Sequence, residues 1–323
     1  MTDAPRGDAP AISVVVPTRN RRSRLAALLS SLGQQSLPPD RFEVIVVDDA
    51  SDDGTQGLLS QLGNDGSRSR VRCVRHEHPG GPSAARNAGW REARGAVVAF
   101  TDDDCEADPD WLRELVESAG FGKKVQQGRT EPIPRELPRS SLFTRTIEVS
   151  RLGPYYPTCN VAYPRALLEE LGGFDEEHPS PGSEDTDLAL RAFERGAEAE
   201  YLDDARVFHA VNEYGPLGKL RWALHWSNAM WILGRHPSLR RELVLGVFWK
   251  PSHALLFLAL LGLALAPQVR PALLLTLPYA RQLRRRCIGA GAGVVLAPYL
   301  AIYDAVEAYA ALRGGLWARL LVL

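Results

Sequence analysis

The chain has 323 residues, 24% of them charged, and a formal net charge of −1. That length can bury one large core or two ordinary ones, and the even charge balance excludes bulk electrostatic binding to nucleic acid. Four cysteines, Cys73, Cys105, Cys159 and Cys287, lie far apart without a C-x-x-C pair, which argues against a disulfide framework or zinc site and fits reduced thiols in the cytosol.

The first ten residues, MTDAPRGDAP, are polar and carry no apolar core; they read as a short disordered tail, not a signal peptide. Strands are expected in AISVVVPT (11–18) and FEVIVVDDAS (42–51), continuous apolar runs of the kind buried on both faces of a parallel sheet. Between them RRSRLAALLSSLGQQ has helical periodicity, with Leu25, Leu28, Leu29 and Leu32 on one stripe. RVRCVRH reads as a third strand, SAARNAGWREAR as a helix and AVVAFTDDD as a fourth strand. This alternation predicts an α/β fold, a doubly wound and mostly parallel sheet with flanking helices and a ligand site beyond the carboxyl ends of its strands. Both acidic clusters, Asp48–Asp49 and Asp102–Asp104, fall at such ends.

After Gln126 the pattern is less regular. TCNVAYP reads as a strand, RALLEELGG as a helix with a glycine stop, and SEDTDLALRAFERG as a helix with Ser183 at its N-cap. AEYLDDARVFHA is a final strand. The following KLRWALHWSNAMWILGRHP mixes Trp222, Trp226 and Trp231 with Lys219, Arg221 and Arg235, the composition of a membrane-interface helix, a sugar platform or a packing face. We expect it to cover the acceptor groove and lead toward a lipid surface.

From about Leu243 the chain turns apolar: HALLFLALLGLALA, a break at PQVRP, then ALLLTLP. The first run spans roughly 20 Å, short of a bilayer core about 30 Å thick. Two short arms suggest a re-entrant or interfacial hairpin, with Arg284–Arg286 in RQLRRR at the level of anionic headgroups. Extension back to Leu243 would reach a spanning length but place Lys250 and His253 inside. A buried helical subdomain is the plain alternative.

The acids carry the chemistry. Asp102 and Asp104 form a D-x-D whose hard oxygens suit Mg²⁺ or Mn²⁺, an ion that substrate phosphates complete, so a diphosphate substrate is implied. Asp103 is expected to point away or to touch a sugar. Isolated acidic loops are commonly just solvated; the position at a strand end is what favours a ligand. Asp48 and Asp49 could accept from a ribose or base, or could simply belong to the turn DDASDDGT. Glu184 and Asp185 complement a helix dipole, or supply a carboxylate base for an incoming hydroxyl. Asp187 and Arg191 are an i,i+4 pair.

Taken in order, SVVVPTRNR, VIVVDDASDDGT, GPSAARNAGWREARGAVVAFTDDD, GGFDE and GSEDTDLALRA resemble the family-2 inverting glycosyltransferases of GT-A fold, over about Ile12 to His209. The resemblance implies that Pro17, Thr18 and Asp49 hold a nucleoside, with Asn20 of the same loop beside them. It implies that Asp102 and Asp104 hold the diphosphate through Mg²⁺ or Mn²⁺, Asp104 being the surer ligand. Asp185, paired with Glu184, becomes the base, and inversion follows from direct displacement. His209 resembles a histidine that some such enzymes bring to the metal, although a histidine after a strand is more often structural. Arg86 and Asn87 could reach sugar or phosphate, or could pack; Asn160 and Phe174 could line the acceptor side or shape the loop.

The expected organisation is a tail (1–10), a nucleotide-sugar glycosyltransferase domain (11–212), a Trp-rich segment (213–242) and an apolar, membrane-associated helical region (243–323). The expected activity is metal-dependent inverting transfer, at the cytoplasmic face of the membrane, from a nucleotide-sugar to a hydroxyl of a lipid-linked or cell-surface glycan. A polyprenyl-phosphate sugar synthase and an inactive nucleotide-binding scaffold are the alternatives. A dinucleotide oxidoreductase is disfavoured, because PTRN and not G-x-G-x-x-G follows the first strand.

Overall fold

Residues 9–64, 71–119, 122–177, 182–291 and 293–323 are described by the structure, a computed structural model. Most of the expected tail, residues 1–8, lies outside the described residues. The chain divides into two compact units, one comprising residues up to Pro138 and Thr146–Val211, the other Arg139–Arg145 and Asn212–Leu323.

The first unit carries, in chain order, β1 (Ile12–Thr18), α1 (Arg22–Leu32), β2 (Phe42–Asp48), α2 (Thr55–Asn64), β3 (Val71–Arg75), α3 (Gly81–Arg91) and β4 (Val97–Phe100). β5 (Cys105–Ala107), α4 (Trp111–Ser118) and β6 (Lys124–Pro132) follow; β7 (Thr144–Arg145) belongs to the second unit. β8 (Val161–Pro164), α5 (Arg165–Leu171), α6 (Glu184–Glu194) and β9 (Glu198–His209) complete the first. Eight strands form one sheet in the order β3-β2-β1-β4-β8-β6-β9-β5. The pairs β1–β2, β1–β4, β2–β3 and β6–β9 are parallel; β4–β8, β6–β8 and β5–β9 are antiparallel.

The two-sided burial expected of the apolar runs is present. Ile12, Val14 and Val16 join Leu25, Leu28 and Leu32 of α1 in one core. Val15, Ile45 and Val47 face the opposite core with Ala85 and Trp90 of α3. Each such side chain contributes about 1.5–3 kcal/mol through removal from water. α3 lies so close to the sheet that a Cβ at Gly89 would collide with Val15.

β6 is a central strand the sequence does not advertise. Its segment KVQQGRTEP contains one large aliphatic residue, and its buried glutamines instead donate hydrogen bonds to neighbouring carbonyls. Gln126 Nε2 donates to Leu115 O (3.1 Å) and Gln127 Nε2 to Asn160 O (2.6 Å).

In the second unit β7 pairs antiparallel with β10 (Asn212–Glu213). The Trp-rich stretch becomes three short helices, α7 (Gly215–Ala223), α8 (Trp226–Ala229) and α9 (Trp231–Arg235). Trp222 meets Trp226 edge-on at 5.6 Å, and Trp226 meets Trp249 at 5.6 Å. Arg145, Lys250 and Arg235 lie over Trp222, Trp226 and Trp231 at 4.0, 5.0 and 4.9 Å. Cation–π packing inside the unit thus engages these rings.

The apolar region forms α10 (Pro251–Leu265), α11 (Leu277–Gly289) and α12 (Ala297–Trp317). α10 starts at Pro251 and does not extend back to Leu243, which removes the longer span considered above. The second arm of the expected hairpin is a 3₁₀ stretch, Arg270–Thr276, packed on α10, where Gly262 lies against Ala272 and Leu275. Arg286 does not serve as a headgroup cation. Its guanidinium holds the buried Asp304 at 2.7 Å, and Tyr279 donates to the same carboxylate at 2.9 Å. Lys250 pairs with the buried Glu307 at 2.7 Å, and His253 Nε2 lies 3.7 Å from it.

Candidate active site

Parallel register places the ends of β1, β2 and β4 on one edge of the sheet: Thr18 stands opposite Asp48, and Val15 opposite Phe100. Beyond β4 the chain turns at Asp102–Asp104, where Cys105 N donates to Asp102 O (3.1 Å) and Ala210 N to Asp104 O (2.9 Å). The three adjacent carboxylates diverge. Asp102, partly exposed, accepts from Arg86 Nη2 at 2.9 Å. Asp103 is buried and accepts from Thr18 Oγ1 (2.8 Å) and Arg21 Nη1 (3.1 Å), so it turns into the protein. Asp104, also buried, offers Oδ2 to the same Arg21 nitrogen (3.0 Å) while its Oδ1 lies 3.5 Å from His209 Nε2. Burial first, opposed by Arg21 and then reinforced by Asp104, pushes the Asp103 carboxyl up to about 7.

Arg86 joins this cluster to the other acidic motif. Its Nη2 contacts Asp102 and its Nη1 contacts Glu184 Oε1 at 3.1 Å. Burial opposes the guanidinium charge, but Asp102 and Glu184 more than offset it, so Arg86 holds its proton more tightly than a free arginine. Glu184 is buried and also accepts from Gly182 N at 2.8 Å. Asp185, next along α6, is partly exposed, and its Oδ1 accepts from Thr186 N at 2.7 Å. Enclosure by protein, followed by repulsion from Glu184, raises its carboxyl to about 7. Ser183 stands at the N-cap position, but with φ 68° and no side-chain capping bond. A left-handed non-glycine residue at that point aims the first turn of α6, an arrangement that costs conformational energy and is common near functional sites.

A divalent cation fits the donors present. Cys105 is the register partner of His209 in the β5–β9 pair, which brings the ligand atoms of Asp104, Cys105 and His209 within 4.8 Å of one another. Burial pushes the Cys105 thiol far above its usual range, so carboxylate oxygen and imidazole nitrogen remain the useful donors. That pair suits Mn²⁺ or Mg²⁺ completed by substrate oxygens. The structure brings Asp104 and His209 together, as expected, whereas Asp102 is drawn to Arg86. His209 Nδ1 lies 2.8 Å from Ala210 O, an orientation that turns Nε2 toward Asp104.

Other expected contacts distribute unevenly. Asp48 has no exposed surface; it accepts from Ser51 N (2.9 Å) and pairs with Arg75, so its oxygens close the turn and are not offered to a ribose. Asp49 is also buried, and its carboxylate receives Gly80 N (2.8 Å), Gly81 N (3.0 Å) and His76 Nδ1 (2.8 Å). Pro17 is partly exposed, and Asn20, at φ 54°, is exposed with its Oδ1 accepting from Asp52 N (2.8 Å). Asn87 is spent on packing: Nδ2 donates to Phe174 O (2.8 Å) and Glu176 Oε1 (2.7 Å), while Oδ1 accepts from Trp90 Nε1 (2.8 Å) and Phe174 N (2.9 Å). Asn160 is likewise internal, bonded to Trp111, Arg129 and Ala205, and Phe174 is buried under the Arg86 guanidinium at 5.7 Å. Asp187 and Arg191 form the expected pair at 2.8 Å, and Arg191 also binds Leu171 O and Gly173 O. Arg21, the cation against Asp103 and Asp104, is not among the expected site residues. Its only trace in the sequence is the basic run TRNRR at the exit of β1.

Residues 13–172 match the model of glycosyl transferase family 2. The chain is 27% identical over 260 residues to the glycosyltransferase AglE of Haloferax volcanii, covering 76% of this chain and 84% of that one. It is 30% identical to the uncharacterized glycosyltransferase YwdF of Bacillus subtilis, covering 63% of this chain and 75% of the relative. Of other curated relatives it spans 50–65% of the length. Among solved structures, the mannosyltransferase PcManGT from Pyrobaculum calidifontis, in complex with GDP-Man and Mn²⁺, superposes with a TM-score of 0.62 at 24% identity, over 96% of this chain and 88% of that one; this is a likeness of fold. The chain belongs to glycosyl transferase family 2, with a GT-A fold.

Proposed function

We propose that the protein is a metal-dependent inverting glycosyltransferase, moving a sugar from a nucleotide-sugar to a hydroxyl of a lipid-linked or cell-surface glycan, with Asp185 as base. The observation that carries this reading is the Arg86 bridge, 2.9 Å to Asp102 and 3.1 Å to Glu184, which ties the D-x-D to the E-D pair at the end of the sheet. Asp104 and His209 are the residues to hold Mn²⁺ or Mg²⁺. When bound, the ion neutralises a leaving diphosphate. Pro17, Asn20 and Asp49 form the proposed nucleoside wall, and Thr18 acts through Asp103, whose carboxylate it orients. Glu184 fixes Arg86 and raises Asp185, so its part in the chemistry is to position and to tune. Asp185 ionises near neutrality, the range in which a carboxylate is a strong enough base to assist an alcohol yet about half unprotonated near pH 7.

The second unit supports a proposed station at the cytoplasmic face of a membrane. Among the described residues one helix, Val294–Trp317, is long and apolar enough to cross a bilayer. It also carries the buried Asp304 and Glu307, so the same helix serves as the core of a helical bundle. Arg284 and Arg285 are exposed beside a largely apolar surface and suit anionic headgroups.

The test is Asp185→Asn. Transfer should fall by about 10²–10⁴-fold, while Mn²⁺-dependent binding of the donor, followed calorimetrically, stays within about twofold. Equal losses of binding and turnover would make Asp185 a structural acid. Full activity of the variant on a polyprenyl phosphate, whose acceptor is already ionised, would turn the reading to a polyprenyl-phosphate sugar synthase.

A further inference from the structure

Arg21 sits where the acidic site needs positive charge. A single nitrogen, Nη1, serves both Asp103 Oδ1 (3.1 Å) and Asp104 Oδ2 (3.0 Å). The carboxylate it holds at Asp104 is the one whose other oxygen faces His209. A divalent ion held by Asp104 and His209 therefore shares that carboxylate with a guanidinium at contact distance, and two cations there repel. Arg21 has open space beside it. Its side chain is 46% exposed, and it borders a cleft of about 370 Å³ that it lines with Asn20, Ser23, Ala26, Asp53 and Leu58.

From this geometry we infer that Arg21 is a competing counter-cation: it balances Asp103 and Asp104, weakens the binding of a bare metal ion, and passes to the diphosphate when donor and metal arrive together. The inference rests on the proposed metal–diphosphate reading of the site. Guanidinium is suited to both halves of the exchange, since it forms charge-assisted bonds with carboxylate and phosphate alike. The consequence is ordered loading, in which metal alone binds poorly and metal with nucleoside diphosphate binds well. Coupling of this kind protects the site from scavenging cations without substrate.

The experiment measures Mn²⁺ binding to the full chain by electron paramagnetic resonance, alone and with GDP or UDP. Wild type is compared with Arg21→Met and Arg21→Lys. In Arg21→Met, Mn²⁺ alone should bind about ten- to a hundredfold more tightly, the ordinary range of coupling between two ligands. The thermal midpoint of that variant should rise on adding Mn²⁺ alone, a response wild type lacks. Nucleoside diphosphate binding in the presence of Mn²⁺ should weaken in the same variant, and Arg21→Lys should fall between the two proteins. Unchanged or weaker binding of Mn²⁺ alone by Arg21→Met, with Mn²⁺-dependent nucleotide binding intact in wild type, overturns the inference and leaves Arg21 a plain support of Asp104. Absence of Mn²⁺ binding in every protein, with either nucleotide, overturns the metal reading itself.

Discussion

Asp185, the proposed base, and Asp103 are the site carboxyls raised to about 7. In an unfolded chain an aspartate ionises around pH 4, whereas in the fold its proton is held until about 7. The folded state therefore binds the extra proton between those values. Below pH 4 both states are protonated and Asp185 contributes nothing to the difference. As pH rises toward 7 the unfolded chain ionises freely while the folded carboxylate does so at a cost, so the residue progressively destabilises the protein and the penalty levels off above 7. Asp185→Asn should accordingly be more stable than wild type by at most about 4 kcal/mol near pH 8, and nearly equal to it near pH 4, in thermal or urea denaturation. A gain in stability that accompanies a loss of turnover is the mark of an acid retained for chemistry; a variant destabilised at all pH values would contradict this role. In wild type, turnover should fall as pH drops through about 7, because the base is then protonated.

At the scale of elements, the loop GGFDE is held against α3 by one side chain. Asn87 makes four hydrogen bonds, two of them to the backbone of Phe174. Gly173, at φ 80°, leaves no room for a side chain beside Asn87 and Trp90. Asn87→Ala strands the buried Trp90 N–H and should cost about 2–4 kcal/mol in urea denaturation, and Asn87→Asp should cost at least as much, because its second oxygen meets Phe174 O and the Glu176 carboxylate in a buried site. The same contrast explains what sequence reading could and could not find. β1, β2 and β4 were legible because two-sided burial requires unbroken aliphatic runs. β6 was not, because hydrogen-bonded Gln126 and Gln127 occupy its core positions and look like surface. The turn acids were legible as a cluster but not as individuals. Whether Asp48 closes a turn or meets a ligand depends on Arg75, twenty-seven residues away in sequence, and no local pattern encodes that pairing. Arg21 was hidden for a similar reason: its partners lie more than eighty residues downstream.

At the scale of the molecule, the second unit exposes an apolar face that water does not favour. Leu260, Leu263 and Leu274 are 52%, 55% and 64% exposed, and exposed aliphatic side chains concentrated in one region suit a partner or a membrane. Within the same unit, acids of α12 pair with Lys250, just before α10, and with Arg286 of α11. Replacing those three leucines by glutamate in the full chain should lower partition onto vesicles containing phosphatidylglycerol by about tenfold or more, with Mn²⁺-dependent nucleotide binding unchanged. Equal partition of both proteins would remove the membrane from the account. The account as a whole depends on one centre shared by the D-x-D and the E-D pair, and anomalous diffraction from crystals grown with Mn²⁺ and a bound nucleotide-sugar tests that most directly. It predicts a single manganese peak roughly 2.1 Å from Asp104 and His209, with the anomeric carbon on the side that faces Asp185. Manganese bound elsewhere, or a donor whose sugar lies out of reach of Asp185, would contradict it.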